Sequence, residues 1–186
     1  KFKYPTMFTA KQKRKENIAE YILYLFQVED LIRACSLDME IIDKQLVPQY
    51  KTDINTSTEI SDWYKNLVLM MKKEGLQQKG HLQFLVNLVN DINEFHLKLM
   101  ETRKVPDYVQ TYVSVAGLIT ELKIKSNVLS NNIFISLEAV YGYLLLKIQK
   151  KEITSETQEA MERIVGWLNQ LSVLYKDYEE EKLDLE

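Results

Sequence analysis

The sequence predicts an all-α protein, folded as a single-domain bundle of about seven helices. Apolar residues recur at every third or fourth position through most of the 186 residues, which is the spacing of amphipathic helices. The chain has only 5 Gly and 3 Pro, too few for a turn-rich β-sandwich. With 46% hydrophobic and 27% charged residues, it is long enough to bury one substantial core.

The first predicted helix, residues 10–35, is the element around which we expect the others to pack. Leu23 and Phe26 lie outside its main apolar face, so the helix needs neighbours on two sides. We therefore expect this helix and the sixth to be the most buried. The main face carries Ile18, Tyr21, Ile22, Leu25, Val28 and Ile32.

The next two helices are predicted mainly from their ends. The second covers residues 36–46, with Ser36 or Asp38 as its N-cap and Pro48 just beyond its end. A polar segment follows. Thr56 and Glu59 then have the spacing of a capping box, which predicts that the third helix begins there.

The fourth and fifth helices are predicted from Gly80 to Thr102 and from Pro106 onward, since proline suits a first helical turn. The core-facing stripe of the fifth helix carries Tyr108, Tyr112, Val115, Ile119 and Leu122.

The last two helices differ in character. The sixth, residues 133–150, is apolar nearly all round, which predicts that other helices enclose it. The seventh begins at Thr154 or Ser155 and has a heptad-like seam that could serve as a dimer surface. This seam carries Met161, Ile164, Leu168, Leu171, Tyr175 and Tyr178.

The predicted domain organisation is one bundle over residues 9–182, preceded by an extended segment, 1–8, and followed by an acidic tail, 183–186. The most apolar run, residues 133–148, falls short of the roughly 20 residues that a membrane span requires. We therefore expect no membrane partner.

The usual marks of catalysis are missing from the sequence. It contains no Gly-rich phosphate loop and no nucleophile elbow. Gln78 and Asn93 stand where a di-metal bundle would need glutamates before His81 and His96. Cys35 is interpreted as a buried filler, and a lone cysteine suits a reducing compartment. We expect no cofactor, no metal and no catalytic residue.

Two titratable residues fall on apolar faces. Glu29 lies within the main stripe of the first helix, and we expect it to form a structural pair with Arg33, four residues on. His96 lies on the apolar stripe of the fourth helix and is interpreted as a core histidine satisfied by a tyrosine or a carbonyl. The alternative is a small-ligand sensor or enzyme with a pocket lined by tyrosines and His96.

Charge is segregated along the chain, whose net charge is −3. An acidic balance argues against a dedicated nucleic-acid binder. The start of the first helix is nevertheless basic and forms a candidate interaction patch, so a nucleic-acid-associated or ribosome-associated factor remains an alternative. This patch consists of Lys11, Lys13, Arg14 and Lys15.

The run AKQKRKENIAEYILYLFQVEDLIRA, residues 10–34, resembles the N-terminal signature of a family of small proteins from Bacteroidetes. That family is catalogued only as a domain of unknown function. The resemblance implies a bacterial, cytoplasmic protein and supplies no activity or catalytic residue. From the residues themselves we expect a non-catalytic interaction or structural and regulatory protein that self-associates, most simply as a homodimer.

Overall fold

In a computed structural model, which describes residues 6–126 and 130–185, the chain is helical, as predicted. No strand occurs among these residues. They form eight α-helices rather than about seven, together with a 3-10 helix, Val47–Tyr50. The helices are α1 (Met7–Glu16), α2 (Ile18–Ala34), α3 (Met39–Gln45), α4 (Ile54–Lys73), α5 (Gln83–Thr102), α6 (Pro106–Ser126), α7 (Asn132–Ile148) and α8 (Ser155–Glu179).

The eighth helix arises because the predicted first helix is interrupted at Asn17. The Asn17 side chain donates to Asn169 Oδ1 at 2.9 Å. The first N–H groups of a helix have no acceptor within that helix. At the start of α2, the Ala19 N–H donates to Ser172 Oγ at 3.2 Å. Contacts far along the chain therefore stabilise the break.

Side-chain caps fix several helix starts. Asp38 caps α3, one of the two residues predicted for that role. The helix predicted to begin at Thr56 begins earlier, because Asp53 accepts the Thr56 N–H at 3.0 Å and also its hydroxyl. The predicted cap at Thr56 was therefore wrong. Asn131 caps α7, and Thr154 caps α8.

The chain divides into two compact units. The first comprises residues 1–15 and 20–86, and its described part includes α3, the 3-10 helix and α4, which pack on one another. Its large, fully buried side chains include Phe26, Ile22, Ile32, Leu37, Ile42, Ile60, Tyr64 and Met71.

The second unit comprises residues 16–19 and 87–186, in which α6, α7 and α8 all contact one another. α7 is buried only over its first three turns, because Leu144, Leu146 and Ile148 are between 38% and 45% exposed. Complete enclosure of this helix was therefore predicted wrongly. The buried side chains of the unit include Leu99, Tyr108, Val115, Ile119, Leu137, Ile164, Trp167 and Leu171.

The ends of the chain add two details. α1 already begins at Met7, inside the segment predicted to be extended, whose residues 1–5 lie outside the described part. Leu185, in the predicted acidic tail, is buried. No helix in the described part of the chain is both long and apolar enough to cross a membrane.

Candidate functional site

The first unit places a glutamate and a histidine in direct contact. Glu29 is only 1% exposed, and its carboxylate accepts the Leu82 N–H at 2.8 Å. Its second oxygen lies 2.6 Å from His81 Nδ1. Both carboxylate oxygens are thus hydrogen-bonded, which offsets the cost of burying them.

The neighbouring side chains of α2 fasten the loop that joins α4 to α5, residues 74–82. The Phe26 ring stacks on His81, with centroids 3.7 Å apart and planes 23° apart. Arg33 Nε donates to the Leu76 carbonyl at 3.1 Å, and the same guanidinium donates to the Gly80 carbonyl. We call the three α2 residues Phe26, Glu29 and Arg33 the loop clamp.

The loop clamp corrects the predicted pair between Glu29 and Arg33. Arg33 instead lies 2.9 Å from Asp30 and binds loop carbonyls, while Glu29 binds His81 and the N–H of Leu82, the residue before α5. The physical reason for this choice of partner is that a buried carboxylate is best satisfied by donors that are fixed in position. The backbone N–H of Leu82 is such a donor. Glu74 also accepts the Gln83 N–H at 2.7 Å, so two carboxylates meet the positive end of the α5 dipole.

A carboxylate that orients an imidazole is also an arrangement used in general base catalysis. Here the same carboxylate holds the backbone at the start of α5, and the His81 ring is covered on one face by Phe26. No group of three or more His, Cys, Asp or Glu suited to a metal ion occurs among the described residues. These contacts fasten His81 and the start of α5 to α2.

The second unit contains a buried polar cluster around His96. The Tyr108 hydroxyl lies 2.6 Å from His96 Nδ1 and accepts the Trp167 Nε1–H at 3.1 Å. Since indole is only a donor, the tyrosine proton is left to point at Nδ1, which requires a neutral imidazole. Burial lowers the pKa of His96 to about 4, in agreement with this assignment.

The surroundings of this cluster are aromatic. The Tyr112 ring is 4.5 Å from His96, and its hydroxyl accepts the Asn132 side-chain N–H at 2.7 Å. Burial raises the pKa of both tyrosines, so their hydroxyls stay protonated at neutral pH. The prediction that a tyrosine satisfies His96 in the core is confirmed.

The predicted basic patch lies on α1. Lys11 and Lys15 are exposed, Arg14 is half-buried, and Lys13 forms an ion pair with Glu20. One of the four charges is thus already balanced within the first unit. Cys35 is buried, and burial raises the pKa of its thiol, which disfavours the nucleophilic thiolate.

Two findings concern surfaces for association. The α8 seam predicted as a dimer surface is buried in the second unit from Met161 to Tyr175, so that prediction was wrong. A different seam, on α6, is exposed and was missed by the sequence reasoning, although its alternating spacing of four and three residues was visible. This α6 seam consists of Pro106, Gln110, Val113, Gly117, Thr120 and Ile124.

The chain matches one family over nearly its whole length. The family is described as a domain of unknown function (DUF4924), and the match covers residues 7–182. Comparison with curated proteins and with solved structures gives no match.

Proposed function

The chain belongs to this family of unknown function, which brings no activity with it, and we propose from its geometry that it is a non-catalytic interaction protein that self-associates as a homodimer. The observation that carries the proposal is the exposed, uncharged α6 seam. A cytoplasmic location is part of the proposal, supported by the single buried thiol of Cys35.

The α6 seam departs from the ordinary pattern of a surface helix. Such a helix usually turns charged residues away from the core, and α5 does so with Asp91, Glu94 and Glu101. On α6, Val113 is 65% exposed and Ile124 is 74% exposed, on the side opposite the buried stripe. Covering this seam with a second apolar surface would remove it from water, which is favourable.

The polar members of the seam are compatible with a helix partner. The Thr120 hydroxyl donates to the Ala116 carbonyl at 2.9 Å, so its hydrogen bond is made within α6. Gly117 has no side chain, and a Cβ built there meets nothing within 4 Å inside the chain. A neighbouring helix can therefore approach closely at this point.

The size of the seam sets the expected strength. From Pro106 to Ile124 the seam spans about 27 Å of helix, and a pair of such helices buries on the order of 1,000 Å² in total. This is the lower end of the range for specific interfaces. We therefore expect a dimer with a dissociation constant in the micromolar range.

The alternatives have less support. Nucleic-acid binding through the basic patch is less favoured, because Lys13 of the patch is paired with Glu20 and the net charge of the chain is −3. A ligand site at His96 would have to displace the contact between the imidazole and Tyr108, a hydroxyl that Trp167 also binds. Binding to RNA at low salt, or a melting shift on adding a metabolite, would favour one of these alternatives.

The proposal is tested by sedimentation equilibrium over roughly 1–200 μM protein, a range that brackets micromolar affinity. We expect the wild-type mass to rise from 21.9 kDa toward twice that value. Val113→Glu should stay monomeric, because it places a charge in the seam. Val173→Glu is the matched control, since this valine is 57% exposed on α8, and it should dimerise normally.

Two results would contradict self-association through α6. One is a wild-type mass of 21.9 kDa at every concentration. The other is a Val113→Glu variant that dimerises as well as Val173→Glu. Circular dichroism of both variants would verify that each remains folded.

A further inference from the structure

We propose that the occupant of the α6 seam is the α6 seam of a second copy, aligned parallel and in register about a two-fold axis. This inference rests on the proposed function, because it assigns direction and register to the same contact.

The two flanks of the α6 seam differ in charge. On one flank lie Asp107, Ser114 and Glu121, with the exposed Arg163 donating to the Ser114 carbonyl. The other flank carries Val109, Ala116 and Lys123. In heptad terms the first flank occupies the e positions and the second the g positions.

An antiparallel pair would bring equal charges together. Such a pair sets the first flank of one copy against the first flank of the other, with the direction reversed. Asp107 of one copy would then face Glu121 of the second copy, and the two Arg163 guanidinium groups would approach at the centre. Like charges in such positions oppose association.

A parallel pair instead sets the first flank of one copy against the second flank of the other. An e residue then meets the g residue five positions earlier on the second copy, so Glu121 lies beside the uncharged Ala116 and Ser114 lies beside Val109. Glu121 lies 3.8 Å from Lys125 of its own helix, so its charge is paired within each copy. Among the described flank residues no like charges meet across a parallel pair, so the charges favour the parallel direction over the antiparallel one.

The seam also supplies a register. Gln110 occupies an a position, and in a parallel pair the same residue of the second copy faces it. An amide carries both donor and acceptor, so two such side chains can satisfy each other, and one polar a residue is known to fix register in coiled coils. Gly117 faces Gly117 in the same register, which allows the close approach that its missing side chain permits.

Engineered disulfides test direction separately from association. In a Cys35→Ala background, Val113→Cys should form a disulfide-linked dimer under mild oxidation, because identical seam residues face each other in a parallel pair within disulfide reach. In an antiparallel pair Val113 faces Gly117, so only a mixture of Val113→Cys and Gly117→Cys would cross-link. Val173→Cys is the control and should stay unlinked.

Reversal of one charge provides a second readout. Glu121→Lys should leave the dissociation constant unchanged in a parallel pair, because residue 121 faces Ala116 of the second copy. In an antiparallel pair it would face Asp107 of the second copy and tighten the dimer by about three- to tenfold, the effect of gaining two exposed ion pairs.

The outcomes separate the two proposals. A dimer that Val113→Glu abolishes but that cross-links only in the mixture overturns the parallel alignment and leaves self-association intact. A dimer that Val113→Glu does not disturb, or a monomer at all concentrations, overturns both. Cross-linking of Val113→Cys alone, together with an unchanged dissociation constant for Glu121→Lys, supports the parallel register.

Discussion

Replacing Glu29 by glutamine is the sharpest test of the loop clamp. In the structure one carboxylate oxygen accepts the Leu82 N–H at 2.8 Å, and the other lies 2.6 Å from His81 Nδ1. The substituted amide would keep the shape of the side chain but could accept only one of these two donors. Its NH₂ group would be turned toward the other donor.

The expected loss can be worked from these contacts. A hydrogen bond to a charged group contributes about 1.5–3 kcal/mol, and a buried donor left unsatisfied costs a further amount of about 1–3 kcal/mol. Since the two terms overlap, we expect the free energy of unfolding to fall by about 3 kcal/mol. For a chain of this length each kcal/mol shifts the melting temperature by about 2–4 °C, so Glu29→Gln should lower it by roughly 6–12 °C.

Thermal unfolding followed by circular dichroism measures this loss at one fixed protein concentration, because a dimer melts at a concentration-dependent temperature. The matched control is Glu40→Gln, an exposed glutamate 3.7 Å from Lys44, whose effect should stay within about 0.5 kcal/mol. If Glu29→Gln melted within about 1 °C of the wild type, Glu29 would not stabilise the fold, and the structural interpretation would be wrong.

Two further predictions concern pH and helix ends. Burial lowers the pKa of His96 to about 4, whereas in the unfolded chain this imidazole has its ordinary pKa of about 6.5. As the pH falls, the unfolded chain is therefore protonated at His96 before the folded chain is. The free energy of unfolding should drop by about 2 kcal/mol between pH 7 and pH 5. Denaturant titrations at both pH values should show a smaller drop in His96→Phe, and an equal drop would refute the assignment. Lys150 follows α7 in the left-handed conformation, with φ of 54°, which glycine adopts at lower cost than lysine. Lys150→Gly should therefore raise the free energy of unfolding by about 1 kcal/mol. Gly75 has φ of 72°, so Gly75→Ala should lower the free energy of unfolding by about as much. Urea titrations of both variants measure these changes, and a lower stability of Lys150→Gly would contradict the reasoning.

The helices could be predicted because their signals are local. The spacing of apolar side chains or a residue at a helix end indicated each long helix, although the predicted first helix merged α1 with α2. Asp38 and Pro106 stood where the structure has a cap and a first turn. The break at Asn17 could not be predicted in this way. It depends on Asn169 and Ser172, which lie 152 and 153 residues along the chain from the groups they bind.

The candidate site shows the same limit. His96 was assigned to the core from its place on an apolar stripe, and the structure agrees. For Glu29 the sequence offered a partner four residues away, whereas the structure uses His81, 52 residues on. A wheel projection shows that a buried carboxylate needs donors, but it does not show which distant segment brings them.

The α6 seam was missed for a different reason. Tyr108, Val115 and Ile119 form a convincing core stripe, and a helix with one such stripe is normally taken to have a polar opposite face. The residues on that opposite face are uncharged but mostly small or polar, so hydropathy alone does not single them out. What distinguishes these residues is that none of them is charged, although they recur at a regular spacing. The structure is needed to show that they are exposed.

The two buried titratable groups and the exposed seam differ in what their use would cost the fold. Glu29 uses both oxygens to hold the start of α5 and His81, and His96 holds its imidazole against Tyr108. Chemistry at either group would require breaking contacts that stabilise the fold, whereas covering Val113 and Ile124 requires no such loss. The proposed association through α6 therefore demands the least rearrangement of the folded chain, and for that reason we expect mutation of the seam to change self-association without lowering stability.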